Sequence, residues 1–107
     1  MPIDDDVRFR MMRLIEVHPD ISQRELSRRL GISLGGVNYC LNALIEKGLV
    51  KMHRFRKSDR KMAYAYAITP RGLGEKARLT QGFLARKMAE YEALKAEIES
   101  IRNELGQ

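Results

Sequence analysis

Residues 22–50, SQRELSRRLGISLGGVNYCLNALIEKGLV, hold two short amphipathic patterns joined by little more than Gly-Ile, and the rest of the chain is read from them. Ser22 and Glu25 make a Ser-x-x-Glu capping box, with Ile21 placed to staple onto Leu26, so a helix is predicted over about 23–30. Gly31 closes it, because glycine tolerates the left-handed conformation that ends many helices. Ser33 then caps a second helix whose apolar face is Val37, Cys40, Leu41, Leu44 and Ile45, stopped by Gly48. Two helices across so tight a turn form a helix-turn-helix.

The oddity is Gly35-Gly36 in the first turn of the second helix, since each interior glycine costs a helix roughly 1 kcal/mol against alanine. A core face centred on Val37 leaves Gly35, Asn38, Tyr39 and Asn42 pointing outward, with Gly36 at the edge. That outward face lacks the Glu and Lys of an ordinary solvated surface. Asparagine can make two hydrogen bonds to adenine in a major groove, and tyrosine can bond a phosphate or pack on a thymine methyl. Missing side chains let backbone N–H groups and the positive helix end approach a phosphate, or let the helix sit deep in the groove. The competing reading is that the glycines only permit close packing between the two helices.

Upstream, Asp4-Asp5-Asp6 suits the start of a first helix, and Pro19 sets its end. Val7, Met11, Leu14 and Ile15 share one face and are assigned to the core. Phe9 and Met12 point the other way, as contacts for another element or another chain or as a mere scatter of exposed apolar residues. Downstream, LVKMHRF (49–55) and MAYAYAI (62–68) alternate as strands around the charged turn RKSDRK (56–61), which reads as a β-hairpin. Met62, Tyr64, Tyr66 and Ile68 share one face; Ala63, Ala65 and Ala67 share the other. A hairpin of two strands is marginal alone, so it must lie against the helices. Thr69 then caps, and Pro70 opens, a closing helical stretch to Leu105, in which Gly72, Gly74 and Gly82 are weak points that leave one long helix or two open.

Residues 51–61, KMHRFRKSDRK, carry six Lys/Arg against one acid. Such a hairpin tip suits a wing that tracks DNA, with Arg54, Arg56, Lys57, Arg60 and Lys61 near phosphates or a narrow minor groove; the plainer reading is a solvated turn. Arg24, Arg28 and Arg29 add positive charge on the supporting helix. The 107 residues, 44% apolar, are enough for one cored domain, and the net charge of +6 favours a polyanion, nucleic acid or an anionic membrane surface. One cysteine excludes an internal disulfide, no apolar run approaches a membrane span, and the N-terminus lacks a signal peptide's pattern, so a cytoplasmic location is expected.

The combination of SQRELSRRLGIS, VNYCLNALIEKGLV, a basic hairpin and YAITPRG (66–72) resembles the winged helix-turn-helix of the MarR family of bacterial transcriptional regulators, over roughly residues 7–76. LIEKGLV (44–50) and ITPRG (68–72) look like that family's segments leading into and out of the wing, and the likeness is nearest to the short regulators found with exopolysaccharide genes. The resemblance implies palindromic operators bound by homodimers, usually in repression, with release by small anionic or phenolic ligands or by cysteine oxidation in many members. This chain lacks the length after the wing for the two customary closing helices, which puts a ligand pocket between domains in doubt. Its single closing stretch also resembles PadR-type regulators.

That stretch has its own pattern. Tyr91, Ile98 and Leu105 fall at heptad position a, Leu94 and Ile101 at d, Glu90, Glu97 and Glu104 at g, and Lys95 and Arg102 at e. A parallel pair matches Glu90 with Lys95 and Glu97 with Arg102 of the partner, whereas an antiparallel pair sets like charges together. Lys87 and Thr80 interrupt the d positions upstream. The alternative is an amphipathic helix covering its own domain or the partner's Phe9 and Met12.

Cys40 is expected to be a buried structural thiol, with redox sensing as the alternative. His18 and His53 make no metal spacing, and no phosphate loop, nucleophile elbow or carboxylate pair suggests an enzyme or a cofactor. The expectation is a mainly α, α+β chain: a winged helix-turn-helix over 1–70 and a dimerisation helix over 71–107. The DNA-binding set is Arg24, Ser33, Gly35, Gly36, Asn38, Tyr39, Asn42, Arg54, Arg56, Lys57, Arg60 and Lys61. The dimer set is Phe9, Met12, Leu84, Met88, Tyr91, Leu94, Ile98, Ile101 and Leu105. Double-stranded DNA and a second copy are the partners. A protein-interaction module, or a sensor gated by a ligand or an oxidant, are the rival readings.

Overall fold

A computed structural model describes residues 4–59 and 61–106, with the backbone alone described at Lys61 and Met62. Three helices, α1 (Asp5–Val17), α2 (Gln23–Leu30) and α3 (Leu34–Glu46), precede an antiparallel pair, β1 (Val50–Ser58) and β2 (Lys61–Ile68), and a closing helix α4 (Pro70–Glu104). Local chemistry sets most boundaries. Asp4 accepts the Val7 N–H at 2.9 Å, Ser22 the Glu25 N–H at 3.0 Å, and Ser33 the Gly36 N–H at 2.9 Å. Gly31 ends α2 in the left-handed conformation at φ 68°. The other half of the expected capping box is replaced: the Glu25 carboxylate binds Arg28 and Arg29.

The core joins Met11 and Ile15 of α1, Leu26 of α2, Val37, Cys40, Leu41 and Leu44 of α3, Val50 and Tyr66 of the hairpin and Leu79 of α4. Val7 and Leu14 are half-buried at its margin. Phe9 and Met12 depart from the expected partner interface. Met12 is fully buried and Phe9 nearly so, with the Phe9 ring 4.5 Å from Phe83 of α4, so this chain's own closing helix covers that side of α1.

The wing is seated by backbone. The Tyr66 N–H donates to the Pro19 carbonyl at 2.8 Å, tying β2 to the α1–α2 connection. At its base, the Thr69 hydroxyl donates to the Gly48 carbonyl at 2.6 Å and accepts the Gly72 N–H at 3.0 Å. Gly72 is required there: a Cβ would stand 2.0 Å from the Leu49 carbonyl oxygen. The glycine that weakens the helix on paper is the contact that packs it on the connection between α3 and β1. α4 runs unbroken through Gly74 and Gly82 and, at about 52 Å by helical rise, makes the molecule 68 × 28 × 26 Å.

Candidate nucleic-acid interface

The first turn of α3 projects beyond the core. Leu34 is 45% and Tyr39 51% exposed, and Gly35, Asn38 and Asn42 lie on the same open side. The two glycines have different surroundings. A Cβ on Gly35 would meet only the Ser33 hydroxyl, 4.0 Å away, whereas one on buried Gly36 would press on it at 3.2 Å and touch Ile32 at 3.7 Å. Packing therefore does not account for Gly35, whereas Gly36 is buried against Ser33 and the Ile32 side chain of the turn. Ser33 spends its hydroxyl oxygen on the cap. The Leu34 and Gly35 N–H groups, at positions without an intrahelical acceptor, find none among the described residues.

Across the outer face of α3 runs a short amide ladder. Asn42 Nδ2 donates to Asn38 Oδ1 at 3.1 Å, and Asn38 Nδ2 donates to Gln23 Oε1 of α2 at 3.5 Å. The ladder leaves Asn42 with its Oδ1 and one Nδ2 hydrogen free, the pair that adenine requires. Sequence reasoning missed Gln23, which lies 15 positions from Asn38 with no local signal. It also missed Leu34, whose spacing to Val37 and Leu41 reads as core. Only the register of the first turn against the core shows otherwise.

Every residue from Lys51 to Asp59 is exposed. Val50, Met52, Arg54 and Arg56 pair with Ile68, Tyr66, Tyr64 and Met62, while Lys51, His53 and Phe55 pair with the three alanines. The Arg54 guanidinium stands 5.9 Å over the Tyr64 ring. Arg60 lies outside the described residues; Lys61 is placed only as the strand partner of Ser58. A groove of about 690 Å³ between α2 and the wing is lined by Gln23, Arg24, Leu34, Phe55, Lys57 and Tyr64. The start of α3, the supporting helix and the basic wing therefore open onto one side.

Arg28 and Arg29 hold the Glu25 carboxyl at about 2 by hydrogen bonding, so these two cations are partly neutralised, while Arg24 has no ion pair among the described residues. Cys40 lies under α3, 1% exposed, and burial pushes its thiol up to about 11, against the requirements of a reactive cysteine. Among the described residues no cluster of three or more His, Cys, Asp or Glu could hold a metal, and no helix is long and apolar enough to cross a membrane. A second concavity of about 460 Å³, floored by Leu44 and Leu79, is rimmed by Arg8, Lys47, Arg71 and Arg78 against one acid, Glu75.

Residues 4–51 match the family described as winged helix-turn-helix DNA-binding. No curated protein matches the chain significantly. Solved structures share its fold. FabT of Streptococcus pneumoniae, in complex with DNA, is 24% identical with a TM-score of 0.57, over 78% of this chain and 56% of FabT. The zinc-dependent MarR family transcriptional regulator AdcR, in its Zn(II)-bound state, is 18% identical at 0.58, over 88% and 61%. A mutant MepR of S. aureus is 16% identical at 0.63, over 94% and 79%. The chain thus spans less than two thirds of FabT and AdcR, and it shares with them the winged helix-turn-helix fold that the sequence resemblance implied.

Proposed function

We propose that this protein is a sequence-specific DNA-binding transcriptional regulator of MarR type, which binds a palindromic operator as a homodimer and represses by occupying it. The observation that carries the reading is Gly35. It interrupts an exposed helix start where this chain makes no demand for glycine, on a face that is uncharged from Leu34 to Asn42 and flanked by Arg24 and Lys57 across one groove. A helix of this kind enters a major groove by its N-terminal residues, and the wing lies along the flanking backbone or minor groove. FabT, solved with DNA, offers a precedent on the same fold. α3 is the reading element; Arg54, Arg56 and Lys57 contact phosphate.

Selection of full-length protein on randomised duplex DNA at several salt concentrations tests this. The expected result is a pseudo-palindrome with half-sites about one helical turn, ~34 Å, apart and steep salt dependence. Retention without enrichment removes sequence readout; no retention at all favours a protein-interaction module.

The basic concavity favours one further reading, gating by a small anion. Arg78 is paired with Glu75, and Arg8 and Arg78 both reach Asp5, which leaves Lys47 and Arg71 to meet an anion in a site that touches α1, the far end of α3 and α4 at once. A screen of small carboxylates and phosphates for shifts in operator affinity, repeated on Arg71→Ala, checks it. Gating predicts a shift that the substitution abolishes.

A further inference from the structure

We infer that α4 pairs with α4 of a second copy as a parallel, in-register coiled coil over Tyr91–Leu105, and that the two helices fork at Lys87, leaving both winged lobes at one end. The inference rests on the homodimer named above and specifies its geometry.

Every residue from Leu84 to Gly106 is exposed, and past the Arg86 bond to Asp6 of α1 the outer part of α4 has no cover among the described residues of its own chain. Tyr91, Leu94, Ile98, Ile101 and Leu105 nonetheless form one stripe, each 43% to 69% exposed. A contiguous apolar strip of this length on a helix marks an association surface. Its flanks identify the occupant. Glu90 and Glu97 line one edge, Lys95 and Arg102 the other, and this arrangement complements itself only when an identical helix runs in the same direction and register. An antiparallel copy brings Glu against Glu and Lys against Arg.

Geometry agrees with charge. Leu79, the last fully buried residue of α4, lies about 28 Å along the helix from Ile98 at the middle of the stripe. An antiparallel pair centred there would hold the lobes roughly 57 Å apart, against the ~34 Å between half-sites one helical turn apart. A parallel pair keeps them together, with its two-fold axis along the coil.

The fork follows from Lys87, which occupies a d position where two copies would face each other. Its Nζ is instead 3.1 Å from its own Glu90 and 5.3 Å above its own Phe83 ring. Phe83 packs on Phe9 of the same chain, so the helix face upstream of Lys87 is committed to its own lobe. Leu84 and Met88 sit in the crotch of the fork.

The test uses full-length protein with single cysteines introduced by Leu94→Cys or Leu105→Cys; the native Cys40 is buried and does not compete. After mild oxidation, a parallel register cross-links both variants to themselves, as read by non-reducing electrophoresis. Glu97→Lys should weaken the dimer on the order of tenfold in sedimentation, and Glu97→Lys with Arg102→Glu should restore it. Cross-linking of one position only, a dimer strengthened by Glu97→Lys, or a monomeric wild type each overturns the proposal. These assays need no DNA. A chain that dimerises in this way but selects no sequence retains the coil and loses the DNA reading; one that selects half-sites as a monomer does the reverse.

Discussion

Gly35 and Gly36 are neighbours in sequence but answer to different surroundings, and that separates folding from function at single residues. Gly35→Ala adds a methyl into open space and improves helix propensity, by at most about 1 kcal/mol. The free protein should melt at or above the wild-type temperature while its affinity for the selected operator falls on the order of tenfold, about 1.4 kcal/mol. Equal affinity for the operator would show that nothing approaches α3 at this point. Gly36→Ala, in contrast, pushes on the Ser33 cap and should disturb the free protein as well. The amide ladder gives the second prediction. Asn42→Ala should relax preference at one base pair per half-site, and Gln23→Met should partly do the same by releasing Asn38. Arg56→Ala should weaken binding to all sequences and reduce the salt slope by about one. Equal, sequence-independent losses from all three would remove base readout from Asn42. Gly35 and Asn42 were legible in the sequence because each departs from its helix's own pattern. Gln23 was not, because only the crossing of α2 and α3 brings it within reach.

At the scale of elements, legibility follows the range of the interaction that sets each boundary. The starts of α2 and α3 depend on Ser22 and Ser33 capping N–H groups three residues on, so four-residue windows contain the whole cause. The continuity of α4 does not. Gly72 reads as a weak point, and its reason is a carbonyl at Leu49, in the connection between α3 and β1. Gly72→Ala forces its Cβ against that oxygen, where neither backbone can easily yield, and should destabilise the fold by about 1–3 kcal/mol. Gly74→Ala, with no neighbour within 4 Å, should not. Denaturant melts of the two variants check this; a similar loss in both would mean that α4 does not close on the Leu49 backbone through Gly72. The same reasoning explains Phe9. The spacing within α1 correctly turned it away from the face that carries Met11 and Ile15, but its cover is Phe83, far along the chain in α4.

At the scale of the whole molecule, the lobe and the outer half of α4 are separate energetic parts. The core ends at Leu79, with Phe83 packed against its edge, and beyond it the helix is exposed. A charge placed in the outer half therefore cannot damage the fold of the lobe, yet it can abolish pairing. Ile98→Glu puts two carboxylates face to face at the centre of the proposed coil. The variant should keep the wild-type hydrogen-exchange protection of α1–α3 while sedimenting as a monomer. Its effect on DNA then follows from linkage: with the lobes uncoupled, the second half-site is no longer bound at high effective concentration. Affinity for the full palindrome should fall roughly 10²-fold or more, and affinity for an isolated half-site should stay the same. If the full site is bound as tightly by Ile98→Glu as by the wild type, the two lobes are not joined through α4, and each reads its half-site alone.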